Sequence, residues 1–335
     1  MPNLPYRFVS GEPIRLAEQQ SPQLLVVIDA EEEFDWSSPV SRKEIAVSAM
    51  QSIDIVQSLL DDYGIKPCYV IDHPVVSQAT GYEKLLGYHQ SGRCEIGAHL
   101  HPWVTPPYTE TLSPANSFVG NLPREIELQK ILSVTESIQE KFGFRPTIYK
   151  AGRYGYGPNT LSILKELQYE IDLSACPPVD FSREGGPDFS RAHPEPFWLT
   201  DDKSILEVPV TGAFVGWAGA YRRGLYGVAG RLAPLKMQGM LARTGLVDRL
   251  MLSPEGFDFD DHVRITRFLY ARGVRTFTWN FHSTSLVPGL TPYVQSKEDL
   301  DTFLNSFKQY FDFFFNELGG KATTLGSLKT QLSKL

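Results

Sequence analysis

Short apolar runs alternate with helical periodicities along most of the chain. The run Leu24 to Ile28 reads as a buried strand, and over residues 43–60 Ile45, Met50, Ile53, Val56 and Leu60 recur near helical spacing before Gly64. Cys68 to Ile71 is the next strand. Pro123 opens a helix whose face is Ile126, Ile131, Val134, Ile138 and Phe142, and Gly143 stops it. Thr147 to Lys150 is extended, an Asn-capped helix covers Asn159 to Gln168, and Tyr169 to Leu173 and Ile205 to Val210 read as strands. Residues 258–272 are helical and Val274 to Phe281 extended. Ser296 and Asp299 form a capping box for a helix carrying Leu300, Phe303, Phe307, Phe311, Phe314 and Leu318. Strand and helix in alternation predict an α/β fold, a parallel barrel or doubly wound sheet, with ligands beyond the carboxyl ends of the strands.

Composition narrows the classes. The 335 residues are 42% hydrophobic and 12% aromatic, enough for a large core, and the net charge of -7 offers no general attraction to nucleic acid. No nucleic-acid partner is expected. Cys68, Cys94 and Cys176 are odd in number and widely spaced, which fits reduced thiols better than a disulfide framework or a metal knuckle. Residues 1–23 scatter Arg7, Glu12, Arg15 and Glu18 where a secretion signal needs an apolar stretch, and nowhere does an apolar run reach the length of a membrane span. The expectation is a cytoplasmic protein.

Three polar clusters stand where strands run out. Asp29, Glu31, Glu32, Glu33 and Asp35 follow the first strand, and carboxylates this dense repel one another until water or a cation relieves them. A solvated acidic loop is the ordinary reading of such a run, but strand-end placement turns Asp29 toward the cleft. His99 and His101 lie two residues apart after Glu95-Ile96-Gly97-Ala98, so in an extended segment both rings face one side and can reach one ion of the zinc type. The ordinary alternative is a structural pair. His282, in Trp279-Asn280-Phe281-His282-Ser283-Thr284-Ser285, has the pKa range of a proton donor, or else merely bonds a neighbouring turn.

Over residues 23–318 these segments resemble the polysaccharide deacetylase, or NodB-homology, superfamily, most closely its WalW-like branch. The resemblance implies a single-domain, distorted (β/α) barrel that uses a divalent metal, zinc for preference, to remove an N- or O-acetyl group. Val27-Ile28-Asp29-Ala30-Glu31 is similar to the motif TFDDG, which makes Asp29 the base; Ala30 replaces the second Asp, and Glu31 becomes the metal carboxylate. Glu95-Ile96-Gly97-Ala98-His99-Leu100-His101-Pro102-Trp103 resembles EIGxHxxxH, with Trp103 in place of the last His and His101 supplying the second imidazole. Tyr149-Lys150-Ala151-Gly152-Arg153-Tyr154-Gly155 resembles FRPPYG; Lys150 takes the place of its Arg and Arg153 is a second cation, either one able to steady the base or an anionic substrate. Phe281-His282-Ser283-Thr284-Ser285-Leu286-Val287-Pro288-Gly289 resembles the late motif around the acid, His282.

The implied partner is an acetylated carbohydrate, nucleotide- or lipid-linked, with Trp36, Trp103 and Trp217 as candidate platforms for sugar faces. Residues 1–22 form an arm, 213–256 an insertion and 319–335 a tail. Within 221–249, Arg222, Arg223, Arg231, Lys236, Arg243 and Arg249 face only Asp248 and are interleaved with Leu225, Leu232, Leu235, Met237, Met240 and Leu241. That pattern suits a basic amphipathic contact with a membrane surface, or an ordinary lid. Two further readings keep the fold: a deformylase or cyclic-amide hydrolase, and a catalytically silent glycan-binding protein.

Overall fold

In β1 (Gln23–Ala30) successive side chains point to opposite faces, so Leu24, Val26 and Ile28 enter one core and Leu25 and Val27 another. The structure, a computed structural model, describes residues 6–218, 221–231, 240–241 and 244–335. Strands β2 (Cys68–Ile71), β3 (Glu95–Leu100), β4 (Ile148–Ala151), β5 (Ile171–Asp172), β6 (Phe197–Trp198), β7 (Leu206–Glu207) and β10 (Thr276–His282) join β1 in the order β10-β1-β2-β3-β4-β5-β7-β6. Every pairing along that path is parallel except the edge pair β6–β7. β8 (Gly212–Val215) and β9 (Asp248–Met251) form a separate antiparallel hairpin, and β11 (Lys321–Ala322) lies on β1.

The sheet curls into a barrel that its ladder does not close. Between β7 and β10 the chain crosses at 208–211, where Pro209 lacks an N–H to give. Isolated bonds take over: Val210 N–H donates to Ala175 O at 3.1 Å, Thr278 N–H to Thr211 Oγ1 at 2.8 Å and Thr278 Oγ1 to Pro209 O at 3.2 Å. This is the distorted (β/α) barrel that the sequence led us to expect.

Inside, Leu25, Val27, Cys68, Val70, Ile148, Ile171 and Leu206 form an aliphatic cluster. Its floor is the helix Leu325–Leu332, whose Leu325, Leu328 and Leu332 insert from below. Glu95, at the start of β3, accepts the Leu325 and Gly326 N–H groups at 2.8 and 2.9 Å, capping that helix. Residues 319–335, expected as a tail, thus carry β11 and the floor. In the arm, Phe8 and Leu16 are buried.

Outside, the helix Lys297–Asp312 lays an aromatic layer on β10. Trp279 stacks on Tyr310 at 4.7 Å, with Phe307 and Phe311 edge-on. The capping box at Ser296 and Asp299 is formed, and the helix runs on as a wider turn through Phe313–Glu317. The helix expected over 43–60 starts later, with a 3-10 turn at Ser48–Ser52 and the α-helix Ile53–Asp62. Glu33 sets that start by accepting the Ala49 N–H at 2.7 Å, a tertiary cap that helical periodicity does not encode. At Asn159 the expected side-chain cap is not made.

Leu328→Ala should destabilise the fold by about 2–5 kcal/mol in urea unfolding, because it opens a cavity in the barrel floor. The same change at Leu335, 67% exposed, should fall within about 0.5 kcal/mol of wild type.

Candidate active site

The inward faces of β1, β3, β4 and β10 end in polar residues. Asp29 follows Leu25 and Val27, His99 follows Gly97, Lys150 follows Ile148, and Asn280 and His282 follow Thr278. Register then brings them level, Asp29 opposite His282 and His99 opposite Lys150. Gly97 leaves the room this needs, since a Cβ there would sit 3.0 Å from Val70 Cγ1 and from Ile148 O.

Lys150 Nζ donates to Asp29 Oδ1 and Oδ2 at 2.7 and 2.6 Å and to Asn280 Oδ1 at 2.7 Å, all of them buried. Burial alone would raise the Asp29 pKa, but Lys150, together with His99 and His282, outweighs it and holds the carboxyl below its usual range.

Glu31, His99 and His101 form the second group. His99 Nδ1 lies 3.1 Å from the Lys150 carbonyl, which only accepts, so Nδ1 carries the proton and Nε2 a lone pair. Burial lowers the pKa of both imidazoles, which are therefore neutral. Each Nε2 stands 3.5 Å from Glu31 Oε2, and His99 Nε2 and Glu31 Oε1 have no hydrogen-bond partner. Unprotonated nitrogens facing a carboxylate repel it unless a cation lies between them. Ligand atoms about 2.1 Å from a tetrahedral ion are roughly 3.4 Å apart, close to the spacing seen. The three residues fit a divalent metal.

Around them is a shell of Glu32, Trp103 and Asp72, in contacts that the sequence does not show. Glu32 Oε2 lies 2.7 Å from His101 Nδ1, and Trp103 Nε1 donates to Glu32 Oε1 at 2.7 Å. Burial pushes the Glu32 pKa up to about 7 despite bonds from Asp72 and Trp103, and burial together with Glu32 lifts Asp72 well above its normal value. Trp103 is 1% exposed and stacks on His101 at 4.3 Å, so it supports the imidazole and offers no open platform. Gly152 passes under the same ring, where a Cβ would meet His101 Cδ2 at 2.2 Å.

On the opposite side, His282 Nδ1 is 2.7 Å from Glu255 Oε2, and its backbone N–H donates to Glu255 Oε1 at 3.0 Å. Burial works against protonation of His282, but the Glu255 carboxylate, with Glu31 and Asp29, outweighs it and raises the pKa to about 10. His282 Nε2 lies 3.6 Å from Asp29 Oδ2. Glu255, between β9 and the helix Phe259–Tyr270, left no signal in sequence because nothing local ties it to His282. Arg153 is turned away from Asp29 and is taken by Ser117, Glu184 and the Phe118 ring.

The acidic run thus divides. Asp29, Glu31 and Glu32 are buried in the site, Glu33 caps a helix, and Asp35 binds Ser37 and Ser38 in an exposed turn. Trp36 lines the cavity with an edge contact to His282 at 5.1 Å, whereas Trp217 is 73% exposed on the β8–β9 hairpin. Of the basic segment 221–249, Lys236 and Arg243 lie outside the described residues, as do Leu232, Leu235 and Met237.

No family model matches the sequence, and no curated protein matches it. Solved structures do. A protein from Mycobacterium smegmatis assigned as a polysaccharide deacetylase is 12% identical, with a TM-score of 0.59 over 97% of this chain and 96% of its own. The Puue allantoinase is 13% identical, TM-score 0.53, covering 93% and 90%. A protein from Pseudomonas aeruginosa PAO1 assigned as a polysaccharide deacetylase is 12% identical, TM-score 0.52, covering 93% and 91%. At such identities the likeness is one of architecture, and this chain has the fold of the polysaccharide deacetylases.

Proposed function

We propose that this chain is a metal-dependent hydrolase that removes an acetyl group from an acetylated sugar in surface-polysaccharide metabolism, a member of the WalW-like branch. The observation that carries the reading is the buried set Glu31, His99 and His101, its lone pairs converging beside an ionised Asp29 and a protonated His282. A bound divalent cation, zinc by the imidazole and carboxylate donors, would supply Lewis-acid activation of water and of the acyl oxygen.

The chain's own groups do the proton work. Asp29 is the base, oriented by Lys150 through both carboxylate oxygens. His282 holds its acidic proton at Nε2, because Glu255 engages Nδ1, and delivers it to the departing nitrogen or oxygen. An amide nitrogen leaves poorly without that proton. Trp103 and Glu32 keep His101 in the tautomer that presents Nε2, the arrangement carboxylates commonly impose on liganding imidazoles.

Finer features of the reading are a cytoplasmic setting, consistent with three free, buried cysteines, and a nucleotide- or lipid-linked acetylated substrate. Contact with an anionic membrane through 221–249 is supported by the exposure of Tyr221 and Val228 in that stretch, 77% and 57%, and of Trp217 just before it, 73%. A cyclic-amide hydrolase would use the same groups, and one of the structures with this fold is named an allantoinase.

The purified chain should carry one zinc per molecule and release acetate from acetylated amino sugars, and His99→Ala should lose both metal and activity. Ring opening of cyclic amides without acetate release would select the other hydrolase, and wild type without metal that still binds glycans would select a binding protein. The active form needs protonated His282, so activity should fall as pH rises through its pKa. Glu255→Gln removes the carboxylate that lifts this pKa, and in a pH profile of kcat/KM the alkaline limb should move to lower pH. Sedimentation with anionic vesicles should carry down the wild type and leave Trp217→Ser/Tyr221→Ser in solution.

A further inference from the structure

The cavity over the donor set has a volume of about 630 Å³ and is walled by separate loops. Trp36 comes from the segment after β1, Leu112 from the stretch between β3 and β4, and Phe181 from beyond β5. Met251 and Phe257 flank Glu255, and Tyr293 follows β10. Walls contributed from all these directions make a pit. An internal unit of a polymer needs a trough open at two ends.

The charged groups of the lining are also largely paired within the protein. Lys150 is taken by Asp29 and Asn280, and Arg153 by Ser117 and Glu184. Thr211 Oγ1 accepts the Thr278 N–H at 2.8 Å and Ser253 Oγ the Glu255 N–H at 3.2 Å, and each hydroxyl keeps its proton for a neutral acceptor. The carboxylates Asp29, Glu31, Asp35 and Glu255 also line it, and among the described lining residues the cationic side chains Lys150, Arg153 and His282 are each paired with a carboxylate, so a sugar diphosphate finds no unpaired cationic side chain. Trp36 Nε1, buried without a hydrogen-bond partner, is an unspent donor for a neutral acceptor.

Apolar walls reward apolar surface in proportion to the area removed from water, and a sugar ring has little of it to give. We propose that this site takes an uncharged acylated unit carrying an alkyl or aryl group within reach of the reacting carbonyl, in preference to a sugar diphosphate or an internal unit of a polymer. The inference rests on the hydrolase reading and revises its substrate class, replacing the nucleotide- or lipid-linked sugar named there with an uncharged acylated unit.

Calorimetric titration of the zinc-loaded full chain with hydroxamates from acetohydroxamate to octanohydroxamate tests it. Affinity should tighten by about three- to fourfold per added methylene until the cavity is filled. Leu112→Asp, at a position 38% exposed and so outside the core, should flatten the series. A flat or falling series in the wild type overturns the inference, as does displacement of octanohydroxamate by chitohexaose or by UDP-N-acetylglucosamine at equal concentration. An unchanged slope in Leu112→Asp overturns the wall assigned here. If acetohydroxamate itself fails to bind, the hydrolase reading falls and this inference with it; acetohydroxamate bound with no gain along the series removes the inference alone.

Discussion

A carboxylate taken out of water must be answered by a positive charge in good geometry, and in this barrel Lys150 answers Asp29 with two hydrogen bonds and spends a third on Asn280. The pair sits where an aliphatic interior gives way to the cavity, so β1, β4 and β10 must meet in one register for it to form. Removing one partner of such a buried pair costs about 3–5 kcal/mol, because the other is left uncompensated. The same demand orders the neighbours. The carbonyl of Lys150 fixes the tautomer of His99, so one residue both answers the Asp29 carboxylate and orients the His99 ring.

The remaining polar groups form two arms on either side of that pair. One arm runs from Glu31 through His101 to Glu32, Trp103 and Asp72, and burial keeps its imidazoles neutral. The other runs from His282 to Glu255 and Ser285, whose Oγ donates to Glu255 at 2.6 Å, and there the carboxylates overcome burial and keep the imidazole charged. His99 and His101 in one arm and His282 in the other thus acquire opposite protonation states from their surroundings. Such divergence is what a site needs to run base and acid chemistry at one pH.

Small residues make the arms compatible with close packing. Gly152 lies against the His101 ring and Gly97 against Val70 and Ile148, so neither position has space for a side chain. Beyond the strands, the hairpin β8–β9 ends at its base in Met251 and the Glu255 loop, tying the insertion to the cavity wall. His262, buried under Trp279, reinforces that loop from below, with Nε2 2.8 Å from Ser253 O.

Much of this was legible in the chain. Apolar runs such as Leu24 to Ile28 and Cys68 to Ile71 located strands because burial on both faces leaves no alternative composition. Asp29, His99, Lys150 and His282 could be named because each ends a strand, and a period of two assigns its face from local sequence alone. The delayed helix start at Ser48, the helical floor at Leu325–Leu332 and the unclosed barrel edge were not legible, since each depends on a bond to a distant residue: Glu33, Glu95 and Thr278. Glu32 read as one acid in a run, Trp103 as a platform and Arg153 as a partner for the base, until packing gave their side chains other directions. Local sequence decides which face of its strand a side chain occupies; which side chains share that face is decided by register between strands far apart in the chain, as those of Asp29 and His282 are, and only the folded barrel sets it.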